Sequence, residues 1–98
     1  MYVVRNVFRA KPGQAKSLVA KFKAAKPAIE KTVGNGNIRI MTDVVGGFWT
    51  VVIEDQVEDL ENYLGDAQTV SQHKDIGEAM KGYMDHVESG YREVFKVE

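Results

Sequence analysis

Cysteine is absent from the chain, and that removes disulfides, thiolate nucleophiles and cysteine-ligated zinc or iron–sulfur centres together. Histidine occurs only as His73 and His86, and neither has a second imidazole at ligand spacing, so no metal motif is expected. Charge of one sign is not in excess: 13 Lys and Arg face 14 Asp and Glu, for a net charge of -1. That balance gives no electrostatic case for nucleic acid or an anionic membrane as a partner. No apolar run approaches the length that spans a bilayer. The opening Met1-Tyr2-Val3-Val4-Arg5-Asn6 lacks the basic start, apolar stretch and small-residue cleavage site of a signal peptide. The expectation is a cytoplasmic protein. Phosphate loops are missing too, since Val45-Gly46-Gly47-Phe48-Trp49 has no following lysine and helix. Ser17, Ser71 and Ser89 carry no nucleophile signature.

What is present describes a small folded domain. The chain is 44% hydrophobic and 28% charged, an ordinary globular composition that argues against disorder. Its 98 residues make one domain, 1–98, with a core thin enough that a partner subunit would help stabilise it.

Residues 2–10, YVVRNVFRA, are β-branched and aromatic and predict a strand. Alternation puts Tyr2, Val4, Asn6 and Phe8 on one face and Val3, Arg5, Val7 and Arg9 on the other. After Lys11-Pro12-Gly13, apolar residues from Ala15 to Val33 recur at helical spacing. Pro27 should kink or divide that helix, and Gly34-Asn35-Gly36 should end it. Asn37–Val45 and Phe48–Glu54 predict two strands joined by a two-residue Gly46-Gly47 turn. Asp55 with Glu58 resembles a capping box opening a short helix that runs to Gly65. Ser71 can cap a further helix carrying Ile76, Met80, Tyr83, Met84 and Val87 and closed by Gly90. Tyr91–Val97 predicts the last strand, with Arg92, Val94 and Lys96 expected on the face that carries Val3 and Arg5. The order β-α-β-β-α-β is that of ferredoxin-like α+β folds, an antiparallel sheet with helices on one face. The other face, half apolar, needs cover, which a second copy packed sheet to sheet would supply.

In element order and length the whole chain resembles the dimeric α+β barrel superfamily, which includes antibiotic-biosynthesis-type monooxygenases and heme-degrading monooxygenases. The stretch from Tyr2 to Phe22, an apolar strand, a Lys-Pro-Gly turn and a helix with Leu18, Val19 and Phe22 inward, is similar to the family's opening. The heme-degrading members place an asparagine on the first strand and a tryptophan ten residues before a histidine. Asn6 matches the first, and Tyr63 and His73 keep the spacing with tyrosine replacing tryptophan. Without the indole that distorts the porphyrin in those relatives, the resemblance does not extend to heme turnover.

The resemblance implies a homodimer with a pocket between helices and sheet, and a cofactor-independent monooxygenase acting on a small aromatic or quinol-like substrate. Asn6 would polarise a carbonyl or hold an oxyanion, with Tyr63 and His73 as polar partners and His73 as proton acceptor. From the residues alone, a buried strand asparagine either bonds locally or faces a cavity. His73, among polar neighbours in a first helical turn, is ordinarily solvated. Phe22, Met80, Tyr83 and Met84 either line an apolar ligand pocket or simply pack the core. Trp49, the sole tryptophan, is expected on the third strand in the core or a dimer interface. Two further readings stay open: a heme-binding protein with His73 as axial ligand, and a non-enzymatic ligand-binding or structural dimer.

Overall fold

The computed structural model describes residues 1–33 and 38–98, the side chains of Val33, Asp66, Ala67 and Ser71 excepted. The helix stop expected at Gly34-Asn35-Gly36 and the strand start expected at Asn37 lie outside the described residues. The β-branched opening forms strand β1, Tyr2–Ala10. Helix α1, Ala15–Val33, follows and carries Pro27 inside it as one element. Proline there removes one backbone hydrogen bond, but Pro27 and the Lys23 carbonyl it would have bonded belong to exposed residues, where water can replace the lost donor.

Strands β2, Arg39–Thr42, and β3, Thr50–Val57, pair antiparallel as expected. Their connection is not a Gly46-Gly47 turn. Residues 43–49 form a wider loop closed by Asp43, whose Oδ1 accepts from the Thr50 N–H at 2.8 Å. Phe48 and Trp49 both adopt left-handed backbone, φ 61 and 56. Trp49 is therefore in the loop rather than on the third strand, and 44% exposed. Its carbonyl accepts from the Ala10 N–H at 2.8 Å, tying the loop to the end of β1.

Helix α2 spans Leu60–Gln72, and its cap is Asp59 rather than Asp55: the Asp59 Oδ1 accepts from the Asn62 N–H at 3.1 Å. Asp55 instead belongs to β3 and is buried, because strand pairing continues to Val57 opposite Tyr2. The helix runs through Gly65, where a stop was expected, and takes in the backbone of Ser71. The next helix, α3, Lys74–Ala79, is accordingly capped by His73. It is also shorter than the periodicity predicts. Gly82 at φ 77 turns the chain left-handed, a conformation that glycine adopts without strain. Tyr83–His86 then form a single 3₁₀ turn. Strand β4 starts early, at Val87, and runs to Lys96 with Gly90 inside it rather than closing a helix. A Cβ on Gly90 would lie 3.1 Å from the Val7 carbonyl oxygen and 3.3 Å from Phe8 Cδ1, so any side chain here would press β1 to give by a few tenths of an ångström.

The sheet order is β2-β3-β1-β4, antiparallel throughout. This is the ferredoxin-like α+β fold, with β1 central and the helices on one face. Ala10, Leu18, Phe22 and Val51 make the buried core, with Phe8 against Phe22 at 5.2 Å between ring centroids. No helix among the described residues is long and apolar enough to cross a membrane.

One strand is phased differently from expectation. Asn6 pairs with Arg92 and Val4 with Val94, and directly opposed residues emerge on the same side. Arg92, Val94 and Lys96 therefore share the helix side with Val4, Asn6 and Phe8, while Tyr91, Glu93 and Phe95 take the open face. Alternation within a strand groups residues but does not say which side each group takes.

The open face carries a row of alternating charge across all four strands: Arg39 beside Glu54, Glu54 beside Arg5, and Arg5 beside Glu93. Glu54, 2% exposed, pairs with Arg39 and, at 2.8 Å, with Arg5. The Arg39 hydrogen bond, reinforced by Arg5, outweighs the opposing effect of burial and holds the Glu54 carboxyl below its ordinary pKa. A lowered folded pKa stabilises above the unfolded pKa, about 4.3 for glutamate, and that stabilisation is lost as pH falls through the folded value. Thermal melts of the wild type and Glu54→Gln should therefore differ most at neutral pH and converge in acid. A constant difference across that range would contradict the pairing.

Candidate functional site

The helix side of β1 holds an apolar cleft with one polar wall. Asn6 sits between Phe8 and Val4 on β1, flanked in register by Ile53 of β3 and Arg92 of β4. Phe22 and Ile29 of α1 and Val70 of α2 form the opposite wall, leaving a cavity of about 230 Å³. The polar groups that line it are Asn6, Asp55, Tyr63 and Arg92. Arg92 Nε donates to Asn6 Oδ1 at 2.7 Å. With Oδ1 engaged as acceptor, the carboxamide keeps Nδ2 as a hydrogen-bond donor. Arg92, an exposed guanidinium on the edge strand, lies directly beside the Asn6 amide, while the buried Asp55 carboxylate stands opposite Val4, diagonal to Asn6 on the same side of the sheet.

A second hollow of about 510 Å³ shares Phe8, Phe22, Ile29 and Val70 with the first. Met80, Tyr83 and Met84 line it. Gly77 and Gly82 lie on the same wall, where side chains would narrow the space. The structure thus brings Asn6, Tyr63 and Phe22 to one cavity and Phe22, Met80, Tyr83 and Met84 to its neighbour.

His73 reaches neither. It sits at the junction of α2 and α3, where Nδ1 accepts from the Asp75 N–H at 3.3 Å. That bond requires an unprotonated Nδ1 and so puts the neutral ring's proton on Nε2. His86 is also elsewhere: its Nδ1 lies 2.8 Å from Gln14 Oε1, an acceptor, so the ring ties the 3₁₀ turn to the start of α1. With neither imidazole in either cavity, the described residues do not fit an axially ligated heme.

Two residues of the polar wall escaped the sequence reading. Asp55 reads as a cap because Glu58 follows it, and Arg92 reads as open-face because strand phase is invisible in one sequence. The usable signal was Asn6 itself, since a strand amide beneath helices calls for polar neighbours on the adjoining strands. His73→Ala should lower stability by about 0.5–2 kcal/mol, the range for lost helix caps, read by urea unfolding. It should leave ligand affinity unchanged; a tenfold weaker ligand affinity would put His73 back in the site.

No family model matches the chain, and no curated protein matches it. Solved structures do. A NIPSNAP family protein of unknown function from Agrobacterium tumefaciens superposes with TM-score 0.84 at 12% identity, covering 99% of this chain and 87% of that one. An uncharacterized NIPSNAP domain protein from Burkholderia xenovorans gives TM-score 0.81 at 12% identity, covering 100% and 95%. A protein of Chloroflexus aurantiacus ascribed to the antibiotic biosynthesis monooxygenases gives 0.69 at 13% identity, covering 96% and 89%. At these identities the likeness is one of fold: the chain has the ferredoxin-like α+β architecture common to NIPSNAP and antibiotic-biosynthesis-monooxygenase proteins.

Proposed function

We propose that the chain works as a cytoplasmic homodimer of the α+β barrel kind, whose cleft binds a small phenolic or enolic compound and oxygenates it without a cofactor. The observation that carries this reading is the Arg92-to-Asn6 hydrogen bond at the polar end of an otherwise apolar cleft. It fixes the amide so that Nδ2 is the donor offered to a substrate oxygen, which is what stabilising a developing oxyanion requires.

In this reading the proton acceptor is Asp55, which lines the cleft as His73 does not, and Tyr63 supplies a further hydrogen-bonding hydroxyl. The apolar walls exclude water from the electron-rich anion. The anion then passes electrons to dioxygen. At a ring methylene the balance is one carbonyl formed from one oxygen atom, with the other oxygen and both methylene hydrogens leaving as water. Dimerisation would cover the open face, on which Tyr91 and Phe95 are 61% and 48% exposed.

Oxygen uptake with a single-ring quinol or a cyclic enolisable ketone tests the reaction. Uptake is expected, with Asn6→Ala lowering kcat by about 10²–10³-fold, the loss typical of an oxyanion donor. Binding without uptake across such compounds would favour a non-enzymatic ligand carrier instead. Sedimentation at micromolar concentration should give the mass of two chains, and a single-chain mass would contradict the dimer.

A further inference from the structure

The polar wall is asymmetric, and its asymmetry describes a ligand. Arg92 is the one cationic residue among the described residues that line the 230 Å³ cavity. Its Nε is committed to Asn6, and none of the ion pairs among the described residues involves it. The Nη donors of a guanidinium so anchored form a planar fork that suits a carboxylate and holds it in one orientation. At the other end Asp55, 8% exposed, lines the same cavity. A second anion placed beside it, away from bulk water, would be repelled, so the uncharged end of a ligand belongs there. Between the two ends lie Phe8, Phe22, Ile29 and Ile53, which offer only apolar contact. The volume falls below the roughly 300–1,000 Å³ common for drug-sized ligands, and a single ring fits it better than a fused system.

We infer that the ligand is a small aromatic acid, seated with its carboxylate on the Arg92 guanidinium and a hydroxyl toward Asn6, Asp55 and Tyr63. This rests on the reading of the cleft as the ligand site and adds the substrate class. A phosphate ester fits less well, because its second charge would find no second cation among the lining residues. Arg92 is exposed on the edge strand, so the carboxylate stays partly hydrated and is not fully stripped of water on binding. The same arrangement puts the hydroxyl beside the amide that would hold its oxyanion, and the charged end of the molecule sets which end enters first.

Titration calorimetry on the full chain separates these claims without any need for turnover. The probes are 4-hydroxyphenylacetate, its neutral amide 4-hydroxyphenylacetamide, and phenylacetate. The acid should bind at least about tenfold tighter than the amide, and phenylacetate about tenfold weaker than its hydroxylated counterpart. Arg92→Gln should abolish the acid's preference over the amide, although losing the bond to Asn6 weakens both ligands, while Arg92→Lys keeps part of the preference. An amide that binds the wild type as tightly as the acid overturns the carboxylate assignment, whatever the variants do. A preference that survives in Arg92→Gln overturns the role of Arg92. Phenylacetate binding as tightly as the hydroxylated acid overturns the hydroxyl end. If none of the three binds at millimolar concentration, the cleft itself is not the site and the inference falls with it.

Discussion

β1 lies between β3 and β4, so the side on which each of its residues emerges fixes what both faces of the sheet contain. Val4, Asn6 and Phe8 meet the helices, and Arg5 and Val7 meet the open side. Shifting the register by one residue would exchange the two sets. Arg5 would then lie under α1 without Glu54, and Asn6 would leave the cleft. The Arg5–Glu54 pair on one face and the Asn6–Arg92 bond on the other are thus two consequences of a single phase. Gly90 suits it, since a Cβ there would crowd Val7 and Phe8 at 3.1 and 3.3 Å.

The two faces have different tasks in this account. On the helix side, Phe8 against Phe22 supports the sheet, while the aliphatic walls beyond them stop short of filling the space over Asn6. On the open side, the ionic row of Arg39, Glu54, Arg5 and Glu93 interrupts apolar ground made by Val7, Val52, Met41 and Tyr91. A buried carboxylate held by two guanidiniums gives little net stability, but it specifies alignment, because any other strand order would leave Glu54 without its counter-charges. The separation matters for function: the cleft and the open face lie on opposite sides of the sheet.

Much of the fold was legible in the sequence because period and punctuation carry it. Tyr2–Ala10 reads correctly from its β-branched residues, and Ala15–Val33 from its helical spacing. What misled were residues whose local chemistry suits two roles. Asp55 could cap a helix or end a strand, and pairing with Val4 decided for the strand. Gly46-Gly47 could make a tight turn, but the Asp43 side chain closed a longer loop around it. Gly82 lies inside a helical period yet breaks it. At the site, Asn6 and Tyr63 were readable and come to one cavity, whereas Arg92 was hidden by strand phase and His73 proved to be a cap. Spacing along the chain brought Tyr63 and His73 together on paper; the end of one helix and the start of the next separate their roles in space.

The central claim is that a small guest enters on the helix side of β1 and leaves the opposite face alone. Side-chain resonances test it most directly, because Asn6 and Arg5 are adjacent in sequence and point to opposite faces. On saturation with a small phenolic ligand, the Asn6 Nδ2 and Arg92 Nε signals should shift while the Arg5 Nε signal stays in place. A shift at Arg5 with Asn6 and Arg92 unmoved would contradict the account.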